Sequence, residues 1–411
     1  MVLFSRQKSR MTSSPSKDTF PLMATNVKLC QLCGLWGDIA YRSHVWRAVL
    51  FSFCLIFWYL VPSFMFMISE EPSFIVLMKP ILELFAITMF VLRISNHVLC
   101  RETLYECYRD LQQAYDQFAG NLHEDVGSIV RHVRRSAELL TKIYFSMVYF
   151  QAATYGVVPA ITTIVRYSFG NEAVELPSTV LEADFVVFDH KANFWTWLPT
   201  MMTSIAVQYG MLTFMSSNEC LFWNMLHHVS CLYKIVYQEI GRLNEYKNPD
   251  EFKRQLAIIV EVHEVCFRTS RRLESVLSPA MALLYFSCIF QTCYVMLVVS
   301  VIDDLFLLAS MAFILQYTVF LIFSFSMLGT ELMDASSLIS EAIYNTKWYE
   351  WAAPERRLLL FMLMRSDRVV AISAAKFFHL NRATFGVAMK TAFSYFTLMQ
   401  RFIGEDRDQG H

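Results

Sequence analysis

Seven stretches of mainly apolar residues recur along the chain of 411 residues, separated by polar segments. A helix needs about 20 apolar residues to cross the hydrocarbon core of a bilayer. Six stretches satisfy this requirement, at residues 46–68, 73–91, 139–165, 197–218, 280–301 and 305–328. The seventh, at residues 383–402, is interrupted by polar side chains. The pattern therefore predicts an all-α integral membrane protein with seven transmembrane helices.

The segments between these stretches predict how the chain is organised. Residues 1–45 carry basic residues and no long apolar run, so we expect no cleavable signal peptide and a first span that directs its own insertion. The predicted units are an N-terminal segment (1–45), spans one to four (46–221), a helical anchor (222–279), spans five and six (280–330), a second anchor part (331–382), the seventh helix (383–402) and a tail (403–411).

Lys and Arg are distributed unevenly around the spans. The N-terminal segment through Arg47 holds seven of them, the loop after the second span holds six and the loop after the fourth holds eight. The loops at 69–73 and 303–304 hold none. Because basic loops stay in the cytoplasm, we predict a cytoplasmic N-terminus and anchor, an extracellular C-terminus and an extracellular tail.

The overall composition agrees with a membrane protein. Hydrophobic residues make up 55% of the chain, 35 residues are phenylalanine, and the mean hydropathy is +0.37. These values exceed those of typical soluble domains. The net charge of −1 gives no electrostatic basis for binding nucleic acid.

Cysteine and histidine show no pattern typical of a metal centre, and we expect no metal and no cofactor. All ten cysteines fall in predicted spans or cytoplasmic segments, where disulfides rarely persist. The pair Cys30 and Cys33 is either redox-active, half of a zinc site, or a reduced and partly buried pair, which the lack of further ligands favours. His227, His228 and His263 are interpreted as structural or solvent-facing.

Several classes of function lack support. The motifs Gly-x-Ser-x-Gly and Gly-x-Gly-x-x-Gly and the P-loop are absent from the sequence, so we expect no enzymatic activity. G-protein-coupled receptors have the opposite direction in the membrane. A transporter stays open as an alternative, although no two spans show the Gly/Pro interruptions of inverted repeats. Lys79 and Glu83, four residues apart in the second span, are predicted to pair with each other.

Residues 222–279 have the pattern of packed helices. Asn248, Pro249 and Glu251 predict a helix start with an N-cap, a proline at the first position and a capping box. Apolar residues then recur at helical spacing, and residues 220–243 are expected to extend the fourth span into the cytoplasm. Such apolar faces need partners, so we infer an oligomer held together by this cytoplasmic anchor.

The polar side chains of the seventh stretch follow a helical repeat. Thr384, Val387, Thr391, Ser394 and Leu398 are three or four residues apart and lie on one side of a helix. Small hydroxyl groups in a membrane helix allow close packing against another helix or line a water-filled pore. The periodicity slightly favours packing and leaves both uses open.

Three segments of the sequence resemble insect odorant receptors. They are HLNRATFGVAMKTAFSYFTLMQ (379–400), QLAIIVEVHEVCFRTSRRLESVLSPAMALLYF (255–286) and LCQLCGLW (29–36). Gustatory receptors are similar, but here only four residues separate Tyr395 from Gln400 where that family has five, which favours the odorant branch. The ending SYFTLMQRF and the shorter loop after the fourth span differ from the shared co-receptor and indicate a ligand-tuning subunit.

This resemblance implies a ligand-gated, non-selective cation channel of olfactory sensory transduction. Its partner would be the odorant co-receptor subunit in a heterotetramer, located in the plasma membrane of an olfactory neuron dendrite. The seventh helix would line one shared pore, with Leu398 at a hydrophobic gate. The implied pore positions are Thr391, Ser394, Thr397, Leu398 and Gln400. A gustatory-type channel, a G-protein-coupled receptor and a transporter are the alternatives.

The resemblance also implies a pocket for a small volatile organic ligand in the outer half of the second to sixth spans. Such a pocket needs mostly apolar walls and a few polar groups. Methionine suits a site that accepts varied shapes. The residues expected to face it are Met78, Ile81, Phe85, Phe150, Gln151, Thr154, Tyr155, Met201, Met202, Ile205 and Tyr209. Membrane lipid is the remaining expected partner.

Overall fold

A computed structural model of the protein describes residues 22–36, 45–69, 74–119, 124–169, 176, 179–185, 188–301 and 305–409. Most of these residues are helical. The α-helices are α1 (Ala24–Leu32), α2 (Val45–Leu55), α3 (Val61–Ser69), α4 (Phe74–Ala119), α5 (Glu124–Ala152), α6 (Val158–Phe169), α7 (Phe194–Arg242), α8 (Pro249–Val301), α9 (Leu305–Tyr344), α10 (Ala353–Ser366) and α11 (Arg382–Gln409). Most of the predicted N-terminal segment and of the loops at 69–73 and 303–304 lies outside the described residues.

Shorter elements connect or interrupt these helices. Two π-helical turns, Ile56–Leu60 and Ala153–Val157, join α2 to α3 and α5 to α6 without a break in the helical path. Two 3₁₀ turns, Leu243–Glu245 and Trp348–Glu350, follow α7 and precede α10. The described strands β1 (Ser373–Ala374) and β2 (Phe378–His379) form an antiparallel hairpin between α10 and α11.

The described helices include five segments that are long and apolar enough to cross a membrane. They are Val45–Ile68, Lys79–Asp116, Gly127–Phe169, Pro249–Ser300 and Leu315–Tyr344. The predicted fourth and seventh spans lie in α7 and α11, whose described residues are more polar and fall below that threshold. The structure is mostly helical, as predicted, apart from the short hairpin, and it contains several helices suited to a membrane, whereas the count of seven spans and their direction remain predictions.

The part of α7 around and beyond the end of the predicted fourth span lies at the centre of the bundle. Every residue from Ser216 to Leu226 is buried, including Asn218 and Glu219. The helix packs against α4, α5, α8 and α9. Because neighbouring helices surround this segment, its side chains contact protein groups and can be polar without facing lipid.

The helices run well past the predicted spans. The helix start predicted around Asn248 is confirmed: α8 begins at Pro249, and the Asn248 side chain and carbonyl accept hydrogen bonds from the backbone N–H groups of Asp250 and Phe252, each at 3.0 Å. From there α8 continues for 53 residues, through Pro279, to Val301. The boundary predicted between the anchor and the fifth span therefore lies within one helix.

The hairpin and the residue after it attach the start of α11 to helices α8 and α9. No pattern in the sequence predicted this hairpin. Its turn places Ala375 and Lys376 at positive φ. The Ala375 N–H donates to the carbonyl of Ser278 on α8 at 3.1 Å. After the hairpin, Leu380 packs on Gly329 of α9, where an added Cβ would collide with the Leu380 carbonyl. A side chain at position 329 would therefore push the hairpin away.

The ten cysteines are free thiols, and the three histidines singled out in the sequence are buried or lie beside a carboxylate. All ten cysteines, each within the described residues, are free, and Cys30 and Cys33 are buried. His228 is buried in α7 beyond the predicted fourth span, and desolvation lowers the pKa of its imidazole to about 3, so the ring is neutral at physiological pH. His263 is also buried, and His227 Nδ1 lies 3.4 Å from Glu331 Oε2.

Candidate functional site

A cavity of about 170 Å³ lies inside the bundle, between helices α4, α5, α7, α8 and α9. Its wall is mostly apolar. The lining residues are Tyr59, Leu82, Glu83, Ala86, Ile87, Met89, Phe90, Arg93, Gln151, Ala152, Tyr155, Val180, Leu181, Gln208, Met211, Leu212, Met215, Leu284, Ser287, Gln291, Tyr317, Thr318 and Leu321. An apolar cavity of ~150 Å³ is large enough for a molecule the size of benzene.

Both π-helical turns of the described chain bring a tyrosine to the cavity. Tyr59 lies on Ile56–Leu60 and Tyr155 lies on Ala153–Val157. A π turn accommodates one extra residue in a helix and so rotates the following side chains, which is why such turns are frequent at functional sites. Gly156 of the second turn lies against the Gln208 side chain, since an added Cβ would stand 2.6 Å from Gln208 Oε1.

A short segment between α6 and α7, residues 179–185, packs against the cavity, and we call it the outer strap. Val180 and Leu181 of the strap line the cavity directly. The strap is held on α3: Ser63 Oγ donates to the Glu182 carbonyl at 2.9 Å, and the Asp184 N–H donates to the Pro62 carbonyl at 2.9 Å. The strap therefore forms part of the cavity wall.

A charged network joins the outer strap to α4. Lys79 Nζ lies 3.8 Å from Glu83 Oε1 and 3.2 Å from Glu182 Oε1. The pairing of Lys79 with Glu83 is therefore confirmed, and Glu182 of the strap extends it. Glu83 also accepts hydrogen bonds from the Tyr155 hydroxyl at 2.5 Å and from the Glu182 N–H at 3.3 Å. Each oxygen of this carboxylate therefore has a protein partner.

Arg93 lines the cavity and forms a buried ion pair with Glu219 of α7. The Glu219 side chain has no exposed surface, and that of Arg93 is 7% exposed. Tyr144 packs beside this pair, with its ring 5.0 Å from Trp223 and 6.2 Å from Tyr317. In the sequence, Arg93 is one of the six basic residues assigned to the loop after the second span. The signal for its true position is Glu219, an acidic residue next to the end of the fourth span.

Two of the residues predicted to bind ligand, Gln151 and Tyr155, line the cavity. Thr154 lies between them, and its hydroxyl donates to the Gln151 carbonyl at 2.8 Å. Phe150 is 65% exposed and Met202 is 48% exposed, so both face away from the cavity.

The other predicted ligand residues lie around the cavity without lining it. Phe85 packs on Phe290 of α8, with ring centroids 4.2 Å apart. Met201 and Ile205 belong to a separate apolar cluster around Trp197. The Tyr209 hydroxyl donates to the Tyr149 carbonyl at 3.5 Å. Ile81 is half-buried on α4, and Met78 lies on the same helix with its side chain outside the described residues.

Most of the cavity lining on α7 lies deeper along the helix than the predicted residues. Gln208, Met211, Leu212 and Met215 line the cavity, about one to three helical turns beyond Ile205. Gln291 of α8 and Thr318 of α9 complete the wall, and the Thr318 hydroxyl donates to Gln291 Oε1 at 2.6 Å. Sequence periodicity gives the spacing of residues along a helix, but it does not give the depth at which neighbouring helices separate.

Part of the polar stripe on α11 is exposed. Ser394 and Leu398 are exposed and Thr391 is half-buried, whereas Ala388 and Ala392 on the adjoining face are buried against the bundle. The Thr391 hydroxyl donates to the Val387 carbonyl at 2.8 Å. Ser394 Oγ and Thr397 Oγ1 likewise donate to carbonyls of their own helix, each at 2.9 Å, and Gln400 is exposed. The stripe is therefore free to contact water or another chain.

A second unpartnered surface lies on the predicted anchor. Large apolar side chains on α10 and beside it are exposed, including Leu360 (56%), Phe361 (68%), Met364 (65%), Tyr344 (74%) and Phe377 (86%). Exposed apolar patches of this kind mark contacts with proteins or membranes. We call these five residues the anchor face.

Comparison with protein families decides how this architecture is classified. The model of the family described as 7tm Odorant receptor matches residues 73–393. The chain belongs to the odorant receptor family. This odorant receptor is accordingly a multi-pass membrane receptor and not an enzyme.

Individual odorant receptors are distant in sequence. Odorant receptor 9a of Drosophila melanogaster is 21% identical over 209 residues, which cover 50% of this chain and 52% of that protein. Odorant receptor 22c of the same species is 26% identical over 42% of this chain and 47% of that protein. The chain thus spans about half the length of the curated relatives it matches. The Drosophila odorant receptor coreceptor matches over only 21% of this chain, at 26% identity, which shows that this receptor is not itself the co-receptor.

Solved structures match the fold over nearly the whole chain. The olfactory receptor OR5 from Machilis hrabei, in complex with eugenol, superposes with a TM-score of 0.76 and 14% identity, covering 92% of this chain and 97% of that one. The structure of OR5 described without eugenol gives a TM-score of 0.77. At this identity the likeness establishes a common fold.

Proposed function

We propose that this odorant receptor is the ligand-tuning subunit of a ligand-gated, non-selective cation channel. A small volatile molecule binds in the cavity between α4 and α9 and opens a pore lined by α11. The observation that carries this proposal is a mostly apolar cavity of about 170 Å³ between the helices of a receptor fold. Concave apolar sites with a few polar groups are the usual form of small-molecule sites.

The pore assignment rests on the direction in which the α11 stripe faces. Ser394 and Leu398 are exposed and Thr391 beside them is half-buried, so four such helices around an axis would present these groups to one another. Hydroxyl groups favour a hydrated pore, and a ring of leucine side chains at position 398 would exclude water when the pore is narrow. Thr397 and Gln400 would lie beside its outer mouth.

The anchor face supplies a surface for assembly. Tyr344, Phe361 and Phe377 are each more than 60% exposed, and covering them with a second subunit removes apolar area from water. We propose that residues 222–279 and 331–382 form a cytoplasmic hub shared with the co-receptor in a heterotetramer. The topology of this arrangement has seven spans, a cytoplasmic N-terminus and an extracellular C-terminus, in the plasma membrane of the olfactory neuron dendrite.

Helix α9 offers a physical connection from the cavity to the pore. Tyr317 and Leu321 of α9 line the cavity, and Gly329 of the same helix seats the hairpin segment that leads into α11. A ligand shifts the equilibrium between closed and open channels only by its difference in affinity for the two states. A ligand therefore opens the pore if it binds more tightly to the arrangement of α9 in the open channel than to the arrangement in the closed channel.

Current recording tests this function directly. Cells that express the chain with the co-receptor should show a conductance evoked by small volatile molecules, and cells with the co-receptor alone should not respond to the same molecules. The response should persist when guanine-nucleotide signalling is blocked inside the cell. Loss of the response under that block would indicate a G-protein-coupled receptor, and saturable uptake without conductance would indicate a transporter.

A further inference from the structure

The charges in the cavity wall are neutralised by protein partners. Glu83 lies beside Lys79 and accepts the Tyr155 hydroxyl, and Arg93 pairs with the buried Glu219. A charged ligand would lose its hydration on entering and would find no free counter-ion among the described lining residues. The wall therefore disfavours ammonium and carboxylate ligands and leaves neutral molecules.

Three glutamine side chains contribute hydrogen-bonding groups to this wall, in which Arg93 Nε and the Tyr317 hydroxyl are also buried without a hydrogen-bond partner among the described residues. Gln151, Gln208 and Gln291 line the cavity from α5, α7 and α8. Gln291 uses its Oε1 to accept from Thr318, which leaves its amide N–H groups as donors. Gln208 is only 8% exposed, and its Oε1 is buried without a hydrogen-bond partner among the described residues. The wall thus contains an acceptor that lacks a donor.

The position of Gln208 is fixed by its neighbour. Its Oε1 lies where a side chain at Gly156 would begin, so the glycine makes room for the amide at the π turn. A buried carbonyl oxygen that accepts no hydrogen bond from a protein donor carries a desolvation cost. A ligand that brings an O–H group to this oxygen recovers that cost, and a ligand that offers only acceptors does not.

We propose that the cavity selects neutral molecules of about benzene size that carry a hydroxyl group, and that Gln208 accepts the hydrogen bond from that hydroxyl. The ligand class is therefore small alcohols or phenols rather than ketones, esters, amines or acids. The ligand oxygen retains lone pairs that can accept from a glutamine N–H, so one hydroxyl uses both kinds of free amide group. This inference rests on the proposed function, because it assigns the odorant to this cavity.

A ring-matched set of compounds tests the class without any mutation. Cyclohexanol, cyclohexanone, cyclohexane and cyclohexylammonium share one shape, and their binding to the full-length chain in nanodiscs can be measured by calorimetry. Cyclohexanol should bind about tenfold more tightly than cyclohexanone, the effect of one net hydrogen bond to a buried acceptor. Cyclohexylammonium should bind most weakly. Equal or tighter binding of cyclohexanone would overturn the inference.

Two variants assign the effect to Gln208. Gln208→Met keeps the length of the side chain and removes the acceptor, so the tenfold preference should fall to within about twofold while cyclohexane affinity is retained. Gly156→Ala crowds the same oxygen and should reduce the preference in the same direction. Gln113→Met, at an exposed position on α4, is the control and should leave the preference unchanged.

The outcomes separate this inference from the proposed function. If the three neutral compounds bind with no preference for the hydroxyl, or if Gln208→Met leaves the preference intact, the assignment to Gln208 is wrong and the cavity remains a ligand site. If none of them binds to folded protein, the cavity is not the ligand site, and the proposed function falls with the inference. The compound series on the unmodified chain decides the ligand class even if a variant fails to fold.

Discussion

Leu380 lies directly on Gly329, and the backbone of the segment entering α11 thereby touches α9 without an intervening side chain. A Cβ on Gly329 would collide with the Leu380 carbonyl and lie 2.9 Å from the Leu380 Cβ. We expect Gly329→Ala to lower the free energy of unfolding by ~1–3 kcal/mol, the usual cost of overpacking. Thermal unfolding of the purified protein measures this change.

Gly241→Ala is the matched control for that substitution. Gly241 also lies in a helix, but an added Cβ would meet nothing within 4 Å among the described residues. Alanine has the higher helix propensity, so this variant should be neutral or gain ~0.5–1 kcal/mol. Equal destabilisation by both variants would show that the contact with Leu380 does not matter.

Leu398 is the residue that we assign to the gate. Leu398→Ala shortens the apolar side chain and should raise the current that flows without ligand, because a wider and less apolar constriction stays hydrated. Phe393→Ala, at an exposed position on a different side of α11, should leave the basal current unchanged. Unchanged basal current in surface-expressed Leu398→Ala channels would count against the assignment of the gate.

Lys79 links the outer strap to α4 through Glu182 at 3.2 Å. Lys79→Met should loosen the strap and speed both binding and release of ligand by up to about fivefold, since partly exposed ion pairs contribute up to ~1 kcal/mol. Rates of current onset and decay after rapid ligand exchange measure this effect. Lys191→Met, an exposed site on the segment just before α7, is the control. Unaltered kinetics in Lys79→Met would indicate that ligand enters by another route.

The buried pair of Arg93 and Glu219 should be sensitive to the loss of either member. Arg93→Met leaves a carboxylate alone in the interior and should destabilise the protein by ~3–5 kcal/mol, and adding Glu219→Gln should restore much of that loss. Arg365→Met removes a pair with Glu264 that is about 40% exposed, and should cost at most ~1 kcal/mol. If the stability lost in the double variant equals the sum of the losses in the two single variants, Arg93 and Glu219 are not energetically coupled.

Much of the helical framework follows from local signals in the sequence. Asn248 and Pro249 mark a helix start because capping depends on neighbours along the chain. Lys79 and Glu83 pair because positions four apart share a helix face. The stripe of Thr391, Ser394 and Leu398 is likewise a property of helical spacing, and in the structure Ser394 and Leu398 are exposed while Thr391 is half-buried.

The cavity depends on contacts between distant segments and was only partly predictable. Gln151 and Tyr155 were among the expected residues, but Gln208 and Arg93 were not. Packing between distant segments of the chain decides which side of α7 faces the cavity. Contacts across more than 100 residues also place the outer strap in the cavity wall and pair Arg93 with Glu219. The hairpin at 373–379 is too short for an alternating pattern to indicate it.

The most direct test of the account asks whether ligand binding changes access to Leu398 on α11. A Leu398→Cys channel with the co-receptor would be exposed to a charged thiol reagent from outside, and the rate at which current is modified would be recorded with and without ligand. The unmodified chain, which has ten free cysteines, is the control. We predict modification that is specific to the variant and faster when ligand is bound. Complete labelling of position 398 with no change in current would contradict a pore lined by α11.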